Sequence, residues 1–165
     1  MKRPAPEKVG ELHARLQAEA KAGGYNLNPD TVFTRDLVEA LLTNMDRYGY
    51  PSCPCRLAGG SRPEDLDIIC PCDYRDPDLS EFGACYCALY VSDEIARGQR
   101  EAEPVPERRP VKEGRLKEKG EREIKGDLPY PVWRCPVCGY LCAREHPPEK
   151  CPVCKADGDR FRKFL

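Results

Sequence analysis

The chain has 165 residues, with 27 Lys/Arg against 28 Asp/Glu and 11 cysteines, a length that suits one medium domain or a domain with a small metal-stabilised module. Its longest apolar run, near Cys87 to Val91, is far short of the roughly 18 residues a membrane helix needs, and the opening residues lack the apolar core of a signal peptide. The expectation is therefore a cytoplasmic protein with no membrane partner.

Charge is unevenly spread. Residues 1–97 carry 11 Lys/Arg and 16 Asp/Glu, while residues 98–165 carry 16 and 12. The basic excess of the second half is mild and interleaved with acids, so no nucleic-acid partner is expected.

In chain order, Val9, Leu12 and Leu16 share one face of a first helix over about 7–22, closed by Gly23-Gly24. A second helix is expected with Asn28 as cap and Pro29 at its first position. Its apolar stripe is Phe33, Leu37, Val38, Leu41, Leu42 and Met45, and it stops at Gly49-Tyr50-Pro51. Ser61-Arg62-Pro63-Glu64 has the form of a capping box opening a short helix through Leu66 and Ile68. A further turn of helix is expected over 76–82, and Ser92 caps a last short one ending near Gly98. No alternating strand is read before residue 98.

Residues 99–129 are rich in proline, glycine and mixed charge, and read as a solvated linker. From Pro131 the chain regains Trp133, Tyr140, Phe161 and Phe164 around four cysteines. The fold class expected is mostly α. A small all-α domain of short helices and loops (1–97) is followed by a charged linker (98–129) and a small knuckle module with short strands (130–165).

The cysteines carry the chemistry. A disulfide framework fits poorly, because their number is odd and they fall in C-x-C and C-x-x-C clusters. Three C-x-C pairs stand in order: Cys53-Pro54-Cys55, Cys70-Pro71-Cys72 and Cys85-Tyr86-Cys87. Partners so close in sequence rarely bond to each other, whereas thiolates suit zinc, copper(I) or iron–sulfur clusters. If four of the six hold a [4Fe–4S] cluster, two remain for a dithiol–disulfide couple.

These residues resemble the catalytic subunit of ferredoxin–thioredoxin reductases, and the likeness runs from the Asn28-Pro29-Asp30 helix start through Tyr48-Gly49-Tyr50 to about residue 97. The resemblance implies that Cys53, Cys70, Cys72 and Cys85 ligate the cluster. Cys55 becomes the outward nucleophile of a redox pair with Cys87 on the cluster side. It also implies a ferredoxin-type electron donor and a thioredoxin-like or small disulfide substrate. Arg56 follows the nucleophile, where it could favour the thiolate or pair with a nearby acid. Two departures stand out. The gaps between the pairs, 14 and 12 residues, are not those of the chloroplast type, and Tyr86 occupies the place of a histidine. A phenol with a pKa near 10 moves protons less readily, so Tyr86 is left a shielding role. His13 and His146 read as lone surface histidines.

In the tail, Cys135-Pro136-Val137-Cys138 and Cys151-Pro152-Val153-Cys154 are two knuckles 12 residues apart, an S4 set for one iron or, alternatively, zinc. With Trp133, Gly139-Tyr140 and Pro147-Pro148-Glu149, residues 131–165 resemble the rubredoxin modules of rubrerythrins. Lys155 stands where a glycine is usual, and Cys142 is a free fifth thiol. The whole resembles the ferredoxin:disulfide reductases. An electron-transfer relay without disulfide chemistry is the alternative function, and a zinc-only binding module the third.

Overall fold

The structure, a computed structural model, describes residues 3–111 and 128–164. Two long helices frame the front half: α1 (Pro6–Ala22) and α2 (Thr31–Tyr48). Pro6 starts α1, where the missing N–H costs nothing. Val9, Leu16 and Ala20 of α1 meet Leu37, Val38 and Leu41 of α2 in the core. Burial of a side chain such as Val38 or Leu41 is worth about 1.5–3 kcal/mol over exposure. α2 ends at Gly49, whose φ of 80° lets its N–H return to the Met45 carbonyl.

The cap of α2 differs from expectation. Asp30, not Asn28, accepts the N–H groups of Val32 and Phe33. Asn28 serves the approach instead, accepting from the Asp30 N–H and donating to the Ala88 carbonyl. A carboxylate one residue before the helix outcompetes an amide three residues before it. The apolar stripe is also narrower than expected. Phe33 and Met45 remain 39% and 41% exposed, while Thr34 is buried with its hydroxyl 3.3 Å from His13 Nε2. His13 thus lies half-buried at the contact between the two helices.

Shorter elements follow: β1 (Asn26–Leu27), α3 (Arg62–Asp65) with a 3-10 turn (Leu66–Ile68), α4 (Arg75–Phe82), β2 (Tyr90–Val91) and α5 (Asp93–Ala96). Ser92 caps α5 through Ile95 N–H. Ser61 makes no side-chain cap bond, so the expected capping box does not form. β1 and β2 pair antiparallel, Asn26 with Val91 and Leu27 with Tyr90. This ladder was invisible to periodicity because two residues cannot show alternation.

Residues 105–109 are anchored to the front half rather than free in solvent. Val105 is buried against Ala84, Val91 and Ile95, and Arg109 donates to Asp65, Asp67 and the Leu57 carbonyl. The linker expected here is a strap over that stretch. Within that linker, residues 112–127 lie outside the described residues.

In the tail, β3 (Val132–Arg134) pairs antiparallel with both β4 (Leu141–Ala143) and β5 (Arg162–Lys163), between which it is central. Phe161 packs with the knuckle cysteines, and Tyr140 meets it edge-on with ring centroids 6.5 Å apart.

Candidate metal and redox centres

All the front cysteines but Cys55 lie in or against the core. Cys53, Cys85 and Cys87 are buried among Leu37, Val38, Leu41, Ile68 and Leu89, with Cys70 packed against them. Backbone bonds set their relative places. Cys53 N–H donates to the Ile68 carbonyl and Cys70 N–H to the Pro51 carbonyl, joining the first two C-x-C pairs side by side. The third pair sits on a tight turn in which Cys85 N–H reaches Tyr90 and Ala88 N–H returns to Cys85, with Ala88 at φ 54°.

Six cysteines from three separate segments are thereby brought together, and their exposure divides them. Cys53, Cys72, Cys85 and Cys87 are buried, Cys70 is half-buried, and Cys55 is exposed. Leu57, two residues on, is 91% exposed. The loop bearing Leu57 is pinned from beneath, because Gly59 and Gly60 N–H groups donate to the buried Asp65 carboxylate. Tyr50 Oη donates to the same carboxylate at 2.7 Å. Burial would raise Asp65, yet these donors and Arg109 hold it below the usual carboxylate value.

Electrostatics in the thiol group are those of protons shared among neighbours. Contact with Cys53, then with Cys87, draws the Cys55 thiol down to about 3, while the reciprocal contact with Cys55 lifts Cys53 to about 11. Burial pushes Cys72 up to about 12 and Cys70 well up.

Two buried guanidiniums face this group. Arg75 lies 3.6 Å above the Tyr25 ring and pairs with Asp76; its charge acts on Cys70. Arg56 is sandwiched between Tyr74 and Tyr86, at 4.6 and 4.4 Å from their ring centroids. It donates to Asp78 at 3.3 Å and to Glu107 of the strap. Asp78 also receives Arg108 at 2.6 Å. Arg56 thus pairs with acids, and its charge also bears on Cys55 and Cys72. Arg56 Nε has no hydrogen-bond partner among the described residues. A cluster held by four thiolates is anionic, so buried cations with an unused donor fit it.

The tail centre is compact. The sulfurs of Cys135, Cys138, Cys151 and Cys154 all lie within 4.8 Å of one another, with Cys135–Cys154 at 3.5 Å and Cys138–Cys151 at 3.6 Å. A tetrahedron with metal–sulfur bonds of about 2.3 Å has edges of about 3.8 Å. The set fits one ion. Contact with Cys138 and Cys154 pulls Cys135 down to about 2, and contact with Cys135 pushes Cys138 up to about 12. The two knuckles repeat one design: Cys135 N–H bonds the Tyr140 carbonyl and Cys151 N–H that of Ala156, each at 2.8 Å. Gly139 has φ 76° and Lys155 φ 62°, so the lysine takes the left-handed turn that glycine takes in the first knuckle. Cys142 faces Trp133 across β3–β4 and lies outside the S4 set.

Sequence reasoning did not find Arg75, Asp78, Glu107 or Asp65. A buried arginine looks like a surface one in a sequence, and only the acids near it in space give it away.

Residues 3–119 match the family model described as ferredoxin thioredoxin reductase catalytic beta chain. Residues 133–162 match that of the rubrerythrin, rubredoxin-like domain. A stretch of 29 residues is 55% identical to Reverse rubrerythrin-1 of Clostridium acetobutylicum, covering 18% of this chain and 16% of that protein. The likeness to that relative therefore concerns a small part of each. Among the described residues no helix is long and apolar enough to cross a membrane.

Proposed function

The chain belongs to the ferredoxin thioredoxin reductase catalytic beta chain family, and on that footing we propose that it takes single electrons from a ferredoxin-type donor and reduces a thioredoxin-like or small-molecule disulfide through Cys55 and Cys87. The proposed cluster ligands are Cys53, Cys70, Cys72 and Cys85, holding [4Fe–4S]. Cys135, Cys138, Cys151 and Cys154 would hold one mononuclear iron, with zinc the alternative. When bound, the cluster would supply electrons one at a time to a couple that consumes two.

The observation that carries this reading is the split in exposure: Cys55 is open to solvent while Cys87, in contact with it, is buried. Cys55 Sγ attacks the substrate disulfide, whose S–S bond breaks, giving a mixed disulfide and one substrate thiolate. Cys87 Sγ then attacks the Cys55 sulfur, freeing the second thiolate and leaving a Cys55–Cys87 disulfide. Two electrons have passed to the substrate, and two from the donor restore the dithiol.

After two-electron reduction, a small excess of alkylating agent should label Cys55 first and abolish disulfide reduction, read by peptide mapping in a Cys142→Ala background. Labelling of Cys87 first would reverse the two roles. Disulfide reduction that survives complete labelling of Cys55 would remove Cys55 as the nucleophile, and a reduced protein that passes electrons to an acceptor but reduces no disulfide would favour the second reading, an electron-transfer relay.

A further inference from the structure

The tail is held to the front half by a buried cation. Arg160, its side chain 1% exposed, ends a 3-10 turn (Gly158–Arg160) and crosses into the front half. Its Nη1 donates to the Ile69 carbonyl at 3.1 Å and its Nη2 to the Asp73 carboxylate at 2.7 Å. These two acceptors bracket Cys70-Pro71-Cys72 from either side. Around this grip, Arg162 reaches Asp73 at 3.4 Å and Arg62 reaches Asp159 at 2.6 Å. The end of α1 comes so close that a methyl group on Gly23 would stand 2.6 Å from the Val153 carbonyl oxygen of the second knuckle.

A buried ion pair is a costly way to glue two surfaces, since apolar residues of the same volume would hold them as well or better. Arg160 even leaves its Nε without a partner among the described residues. What it provides is direction: two bonds that fix both ends of a three-residue loop.

The position of Arg160 depends in turn on the tail's sulfur site. Gly158 N–H is bonded to the Glu149 carbonyl, Cys151 N–H to that of Ala156, and Phe161 packs against Cys135, Cys151 and Cys154. S4 modules of this size are ordered by their metal. We propose that metal bound in the tail orders Arg160 and thereby clamps the Cys70–Cys72 loop, so that retention of the front cluster depends on metal occupancy of the tail. The proposal rests on Cys70 and Cys72 being cluster ligands. Arg160 is then a positioning residue. Without it, the largely buried Asp73 carboxylate beside Cys72 is answered by the exposed Arg162 alone among the arginines that pair with it.

The test uses the full chain and measures anaerobic release of cluster iron to bathophenanthroline disulfonate. Four forms are compared with the wild type: its zinc-tail form, Arg160→Gln, Arg160→Lys, and the double variant Cys135→Ser/Cys138→Ser. Arg160→Gln and the double variant should release cluster iron about tenfold faster or more, the scale on which outer-shell partners of metal ligands act. Arg160→Lys should recover part of the protection through Asp73. The zinc-tail form should match the wild type, because zinc orders the knuckles without carrying electrons. Release from Arg160→Gln at the wild-type rate would overturn the proposal, as would fast release from the zinc-tail form. If wild-type protein holds no cluster at all, the proposed function falls instead. Amide exchange over residues 69–73 then tests the clamp by itself: it should rise in Arg160→Gln against the zinc-tail wild type, and equal exchange would overturn it.

Discussion

The two sulfur sites of this chain are built in opposite ways. In the tail, two knuckles of the same design each place a pair of thiols by their own backbone bonds, and a small sheet brings the pairs to within 4.8 Å. In the front half, six thiols come from three loops. Backbone bonds tie the first two to each other, Cys53 to Ile68 and Cys70 to Pro51, the third closes its own turn from Cys85 to Tyr90, and arginines then reach across the fold. The first site is local in construction, yet its failure should reach the front half through Arg160, which crosses to Ile69 and Asp73. The second is distributed, so damage far from any cysteine should reach it.

The largest effect expected is at the tail. Replacing Cys135 by Ser should abolish the metal-dependent absorbance of the knuckles and unfold the module, since a structural site of this kind draws about 10–16 kcal/mol from its ion. Cys142→Ala should leave that absorbance unchanged. Sensitivity of the spectrum to Cys142 would mean that the site is less local than its geometry indicates.

Next in size is Asp78, which is fully buried and shared by Arg56 and Arg108. Asp78→Ala leaves the buried Arg56 guanidinium only the half-exposed Glu107 as an acid partner and should destabilise the front half by about 3–5 kcal/mol, measured by chemical denaturation. Because the knuckles are closed by their own backbone bonds, the knuckle absorbance should outlast the front-half signal as denaturant rises. Joint loss of both signals would instead make the two halves one cooperative unit.

The smallest effect probes the one irregularity in the knuckle pair. Lys155 adopts φ 62°, where Gly139 serves in the first knuckle. Lys155→Gly should stabilise the tail by about 0.5–1 kcal/mol, relief of left-handed strain exceeding the entropy of glycine. The gain would appear as a higher midpoint of thermal loss of the knuckle absorbance.

Legibility follows the same division. The two knuckles, the fifth thiol and the three C-x-C pairs could be read directly, because ligand type and spacing are properties of neighbouring residues. Helices α1 and α2 could be read from apolar period, with an error at the cap where Asn28 and Asp30 both offer a side-chain oxygen. The strap at 105–109 could not be read. Val105, Glu107, Arg108 and Arg109 lie in a run of proline and charge that has every mark of a linker, and the acids that the two arginines meet, Asp65, Asp67 and Asp78, are 30 to 44 residues away.

The sequence by itself therefore determined which atoms are available for chemistry: ten clustered thiols, in two groups, on a mostly helical frame. Only the tertiary structure decided which thiol faces solvent and which charges are buried. Exposure of Cys55 and burial of Cys87 depend on how three loops close over one another. The burial of Arg56, Arg75 and Arg160 depends on carboxylates and rings that meet them only after folding. The reason is one of range: ligand spacing acts over a few bonds, whereas desolvation and ion pairing depend on everything within several ångströms, whatever its place in the chain.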